Sequence, residues 1–152
     1  MTKTGRTNFF AVLIIIVVAL VTAYCYAFFI QKGGRPFIIT ASTTPAESDA
    51  ASLLGTNQTD NIQLVNVSDW AVRLWSVKFV DYKGMTISHL TVDGEPIHGQ
   101  EVPSNHGDGK LVTIKFNVHI DSSTIQNPQT VSMVYSYWGL KHTQSLNLFP
   151  LR

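Results

Sequence analysis

The chain has 152 residues, 45% of them hydrophobic, and a formal net charge of +1. That length supports one ordinary domain, or one domain plus an anchor. From Asn61 to Arg152 seven basic residues (Arg73, Lys78, Lys83, Lys110, Lys115, Lys141, Arg152) balance seven acids (Asp69, Asp81, Asp93, Glu95, Glu101, Asp108, Asp121). No basic face is then available to neutralise phosphates, which excludes nucleic acid as a partner.

The hydrophobic residues are unevenly spread. Residues 9–30, FFAVLIIIVVALVTAYCYAFFI, carry no charge, and at about 1.5 Å per residue they span roughly 33 Å as a helix, enough for a hydrocarbon core of about 30 Å. Phe9, Phe10, Tyr24, Tyr26, Phe28 and Phe29 cluster towards the two ends, as an interfacial aromatic belt does. A cleaved signal peptide with Lys3 and Arg6 as its charged region is the competing reading. Its apolar core is shorter, and small residues mark its cleavage site; here bulky Phe28, Phe29 and Ile30 follow Ala27. A lipoprotein signal needs a small residue before the modified cysteine, and Tyr24 precedes Cys25.

The expected organisation is therefore a cytoplasmic tail (1–8), a transmembrane helix (9–30) and, beyond it, extracytoplasmic segments. The membrane partner is the lipid bilayer, through residues 9–30. Lys3 and Arg6 precede the span and Lys32 and Arg35 follow it, so the positive-inside count is nearly tied. The stretch Thr40–Asp60, rich in Ser, Thr and Ala and free of Lys and Arg, has the composition of a translocated spacer and places the C-terminal domain outside. Residues 31–60 read as a flexible tether of coil-like dimensions, about 30 Å end to end, with a short helix near Glu47–Leu54. Asn57-Gln58-Thr59 and Asn66-Val67-Ser68 match the glycosylation sequon, which chance also explains in so Asn- and Thr-rich a region.

After Asn61 the period of the hydrophobic pattern changes to two. Val112, Ile114, Phe116, Val118 and Ile120 alternate with Thr113, Lys115, Asn117 and His119, a strand with one buried and one wet face. Ile62 to Val67, Trp70 to Asp81, Met85 to Val92, Val131 to Trp138 and His142 to Phe149 are further strands. The run Trp70–Asp81 changes phase near Trp75, the signature of a bulge or bend. Lys83-Gly84, Asp93-Gly94, Gly107-Asp108-Gly109, Gln126-Asn127-Pro128 and Gly139 supply turns. Residues 61–152 are thus expected to be all-β, an antiparallel β-sandwich of immunoglobulin-like type with a small β-barrel as the alternative. Cys25 is the sole cysteine, so no intrachain disulfide and no cysteine-based zinc site forms. Lack of disulfide staples favours a bacterial or archaeal envelope protein over a secreted eukaryotic one.

The N-terminal apolar segment, the run IQLVNVSDWAVRLWSVKF (62–79) and the run VSMVYSYWGL (131–140) together resemble small membrane-anchored proteins of Gram-positive bacteria. The resemblance implies a cell-envelope location and carries no activity.

All five histidines, His89, His98, His106, His119 and His142, fall after Asn61. His98 and His106 flank the loop 99–105, and with Glu101 or Asp108 they offer a His/His/carboxylate metal set, although no pair has the spacing that preorganises ligands. Asn105–Lys110 is glycine-rich but lacks the strand-to-helix setting of a phosphate cradle. No G-x-S-x-G elbow accompanies the Ser, His and Asp residues. No catalytic, cofactor-binding or metal residue is assigned. Trp70, Trp75, Trp138, Tyr135 and Tyr137 remain: Tyr135 and Tyr137 share one strand face and Trp138 the other, so one aromatic face is expected to be exposed, for a glycan or protein partner. The expected function is a non-enzymatic, membrane-anchored binding or accessory module. The alternative is a metal-binding protein or metal-dependent enzyme using His98, His106 and Glu101.

Overall fold

The computed structural model describes residues 3–104 and 110–148. Among these residues helix α1 (Lys3–Phe29) is followed by nine strands: β1 (Phe37–Ser42), β2 (Asn57–Asn66), β3 (Val72–Val80), β4 (Met85–Val92), β5 (Glu95–Pro96), β6 (Gln100–Val102), β7 (Val112–Ile120), β8 (Thr130–Tyr137) and β9 (Leu140–Asn147). They form two antiparallel sheets, β1-β2-β7-β4-β5 and β6-β3-β8-β9, packed face to face as a sandwich and not closed into a barrel.

Period two decides which side chains meet in the middle. Along β7 the five apolar residues Val112, Ile114, Phe116, Val118 and Ile120 are all buried, while Lys115 is exposed. Along β8 Val131, Met133, Tyr135 and Tyr137 are buried and face them from the second sheet. Phe79 of β3 meets Phe116 of β7 across the gap, ring centroids 4.6 Å apart. The expected phase change in β3 is a bulge: the β3–β8 register shifts between Leu74 and Ser76, which turns Trp75 onto the outer face. Two-residue turns with positive φ at both central residues close the β4–β5 and β8–β9 hairpins, at Asp93-Gly94 and at Trp138-Gly139, the geometry that matches the right-handed strand twist. Strand β9 begins at Leu140, two residues earlier than its periodicity suggests.

The segment 31–60, expected to be a flexible tether, is largely part of the sandwich. It contains β1, a turn of 3-10 helix at Glu47–Asp49, and the first residues of β2. The reason lies in long-range contacts. Phe37 is buried against Tyr135, edge to face at 5.5 Å. The Gln144 amide of β9 accepts from Phe37 N at 3.0 Å and donates to Phe37 O at 2.9 Å. That side chain completes the backbone bonding of β1 and stitches the edges of the two sheets together. Further along, Asn127 donates from its amide to Pro45 O and from its backbone N to Glu47 Oε1, while Ala50 is buried.

Asn66, at the head of a glycosylation sequon, is a structural corner. It is fully buried; its amide donates to Trp70 O at 2.9 Å and Val102 O at 3.1 Å, and its Oδ1 accepts from Ser68 N and Ser68 Oγ. Every hydrogen-bonding site on the side chain is used, so the sequon here is the signature of a turn. Asn57, in the other sequon, is exposed and bonds to His119 Nδ1 at 2.8 Å.

Candidate functional site

The sandwich and the apolar helix meet directly. From Asn8 to Ala23 the helix is exposed on all sides, and over Tyr24, Ala27 and Phe28 it becomes covered. Ala27 retains 1% of its surface. Beyond Phe29 the chain turns sharply: Ile30 N donates to Tyr26 O at 2.8 Å, Gly33 N to Ala27 O at 3.3 Å and Gly34 N to Phe28 O at 2.9 Å, with Lys32 in the left-handed region at φ 61. These bonds satisfy carbonyls that a helix C-terminus otherwise leaves open. Gly33 is required by close approach, because a Cβ there would lie 2.5 Å from Cζ and 2.7 Å from Cδ1 of Tyr137.

Two buried tyrosines of β8 fasten this turn. Tyr135 donates its hydroxyl to Gly33 O at 2.8 Å, and Tyr137 donates to Ala27 O at 3.4 Å. Burial, followed by the neighbouring Tyr24 and Tyr137 hydroxyls, pushes the Tyr135 phenol up to about 12. Burial also raises Tyr137, with Asp69 and Tyr24 adding to the effect. Both therefore stay protonated as donors. His142 of β9 shares a 2.7 Å hydrogen bond with the Tyr24 hydroxyl and lies 4.7 Å from the Phe28 ring. Burial lowers its pKa, which favours the neutral imidazole able to accept from the phenol. On the flank, Trp70 Nε1 donates to Gln31 Oε1 at 3.0 Å.

Trp70 and Trp138 form the exposed aromatic edge beside this junction, 49% and 45% exposed, with ring centroids 5.7 Å apart. Trp138 also packs edge-on against Tyr24 of the helix at 6.0 Å. Its φ of 49° is one a bulky residue adopts at a cost. Trp75 lies on the outer face of the second sheet, bonded through Nε1 to Ser136 Oγ at 3.0 Å and covered by Lys141 Nζ at 4.8 Å. Trp75, Trp138, Arg73, Glu101, Ser136 and Lys141 line a depression of about 340 Å³. A larger cleft, about 660 Å³, opens between the helix end and β1.

The described histidines are dispersed. His89 sits in a bulge of β4 bonded to Ser88, and His119 lies on the wet face of β7, 3.6 Å from Asp121. His98 is in the turn before β6, its ring 6.2 Å from Trp75, and Glu101 is in β6 opposite Arg73. His106 and Asp108 lie outside the described residues. Among the described residues no group of three His, Cys, Asp or Glu side chains is placed to hold a metal ion. The sequence reading missed the Tyr24–His142 pair and the tyrosine clasp on the Ala27 and Gly33 carbonyls.

No family model and no curated protein matches the sequence. Among solved structures, the chain is similar to a family 123 glycoside hydrolase from Clostridium perfringens, studied for glycolipid glycan hydrolysis, at 11% identity and a TM-score of 0.34. The match covers 76% of this chain and 28% of that one. A likeness at that level transfers neither a site nor an activity.

Proposed function

We propose that the chain is a single-pass membrane protein that keeps its apolar helix and holds its β-sandwich flush against the outer membrane surface, as a non-enzymatic binding or accessory module of the cell envelope. The observation that carries this reading is the clasp: Ala27 is buried, and the Ala27 and Gly33 carbonyls are the acceptors for the Tyr137 and Tyr135 hydroxyls. Signal peptidase cutting after Ala27 would strip the helix from Tyr137 and His142 and uncover the aromatic cluster, so retention is the state that satisfies these groups. The orientation rests on the sequence: the basic residues flanking the span nearly balance, and the stretch 40–60, free of Lys and Arg, favours a translocated sandwich with the N-terminus inside.

Support for binding rather than catalysis comes from how the polar side chains are used. The buried Tyr135 and Tyr137 hydroxyls are pinned to backbone carbonyls, and His89, His119 and His142 bond to separate neighbours. The depression around Trp75 and Trp138, rimmed by Arg73, Glu101 and Lys141, is the face for a glycan or protein partner. We further read the sandwich as immunoglobulin-like. Strands β1-β2-β7-β4 against β3-β8-β9 follow the ABED and CFG order of constant-type domains, with β6 added beside β3.

The test is topological. With an epitope placed after Arg152, protease added to spheroplasts should remove the epitope while an N-terminal one survives. Protection of the C-terminal epitope without permeabilisation overturns the orientation. A soluble mature chain starting near Phe28 overturns retention.

A further inference from the structure

The cleft between the helix end and β1 has features that the anchoring role leaves unused. Its walls are apolar: Phe28 and Phe29 from the helix, Phe37 and Ile38 from β1. Its rim carries Lys32 and Arg35, both exposed, and neither makes an ion pair with an acid among the described residues. The volume of about 660 Å³ lies within the range of about 300–1,000 Å³ found for small-ligand sites. The position matters as much as the shape. Lys32 and Arg35 follow the end of the apolar span by three and six residues, so in a membrane they stand at headgroup level. Translocated flanks are ordinarily poor in Lys and Arg; two unpaired cations on that side need a reason.

From this arrangement we infer that the cleft binds one anionic phospholipid, its phosphate held by Lys32 and Arg35 and an acyl chain laid along Phe28, Phe29 and Ile38. The inference rests on the membrane-anchor reading above. Arg presents a fork of donors matched to phosphate oxygens, and Lys adds a point charge. The apolar wall distinguishes a lipid from a free anion, because inorganic phosphate gains nothing from the accessible hydrophobic side chains. Both cations also complement the negative end of the helix, but that interaction is indifferent to which lipid surrounds the protein.

The experiment uses the full chain purified in neutral detergent, titrated with phosphatidylglycerol or phosphatidylcholine and read by native mass spectrometry. The expected result is a preference for phosphatidylglycerol of about tenfold or more, from two juxtamembrane cations. It should collapse to about parity in the double variant Lys32→Gln, Arg35→Gln, whose melting should match the parent because both sites are exposed. Equal binding of the two lipids by the parent chain, or an undiminished preference in the double variant, overturns the inference. Displacement of the lipid by millimolar inorganic phosphate would show a simple anion site and overturns it too. Carbonate extraction of native membranes separates this failure from that of the underlying reading. A chain that stays in the pellet yet shows no headgroup preference refutes the lipid site alone, whereas release into the supernatant refutes the anchor.

Discussion

Gly33→Ala should loosen the helix from the sandwich without disturbing the sheets. The added methyl would stand 2.5 Å from Cζ and 2.7 Å from Cδ1 of Tyr137, where carbon pairs prefer about 3.5–4.0 Å. An exposed ring would swing aside, but Tyr137 is fully buried and its hydroxyl bonds to Ala27 O. The turn must therefore shift by about an ångström, which strains the Tyr135 bond to Gly33 O. Overpacking of this kind costs about 1–3 kcal/mol, and a weakened buried hydrogen bond adds roughly 1 kcal/mol. The assay is a denaturant melt of the full chain in micelles, followed by tryptophan fluorescence, since Trp70 and Trp138 border the junction and report its opening. An early fluorescence change, preceding the loss of β-sheet circular dichroism, is the expected result. If Gly33→Ala melts like the parent in both signals, the close packing of this turn on Tyr137 is refuted.

Phe116→Ala should cost about 3–5 kcal/mol and Lys115→Ala less than about 0.5 kcal/mol in the same melts; the reverse order would place the β7 register one residue out. Asn66→Ala should destabilise by roughly 1–3 kcal/mol or more, because Ser68 and the Trp70 and Val102 carbonyls lose their buried partner, a loss that an unaltered melt would disprove. Asp60 faces the core with its Oδ2 unpartnered, and burial, opposed by Thr43, raises its pKa. Its folded form holds the proton more tightly, so stability falls as pH rises from the ordinary carboxylate range through the folded pKa. Asp60→Asn should remove that slope and stabilise the protein at neutral pH, as a pH series of melts would reveal. His142, lowered by burial, works in the opposite sense: stability falls as pH drops from the ordinary histidine range through its folded pKa, and His142→Gln should abolish that acid sensitivity.

The core of the sandwich was legible because period-two patterning over β7 and β8 reports burial directly, and the bulge at Trp75 showed as a break in that pattern. Burial of Tyr135 and Tyr137 follows from their shared face on β8, whereas Trp138, expected on the opposite face of that strand, is exposed because it sits in the β8–β9 turn. β1 was hidden for a physical reason. It pairs along β2, but the side chains that fasten its start, Gln144 and Tyr135, lie about a hundred residues away in the chain, and a short run among Ser and Thr carries no local signal of them. The docking of the helix was hidden differently. Tyr24 and Phe28 have the chemistry of a lipid-facing aromatic belt, and the same rings serve equally well against protein. Nothing in the composition of 9–30 separates the two uses, and only the fold brings His142 and Trp138 to Tyr24. The metal candidate at His98, His106 and Glu101 illustrates the limit of counting ligands along a chain. His98 and Glu101 lie on a turn and an adjoining edge strand, each with its own neighbour, and His106 lies outside the described residues.

The intact mass of the protein recovered from native membranes tests the central claim most directly. A retained helix built into the sandwich predicts a membrane-bound species that keeps residues 1–30, close to the 16.8 kDa of the whole chain. A mature chain beginning near Phe28 would contradict it, since the carbonyl that accepts from Tyr137 and the ring that pairs with His142 would both have been removed.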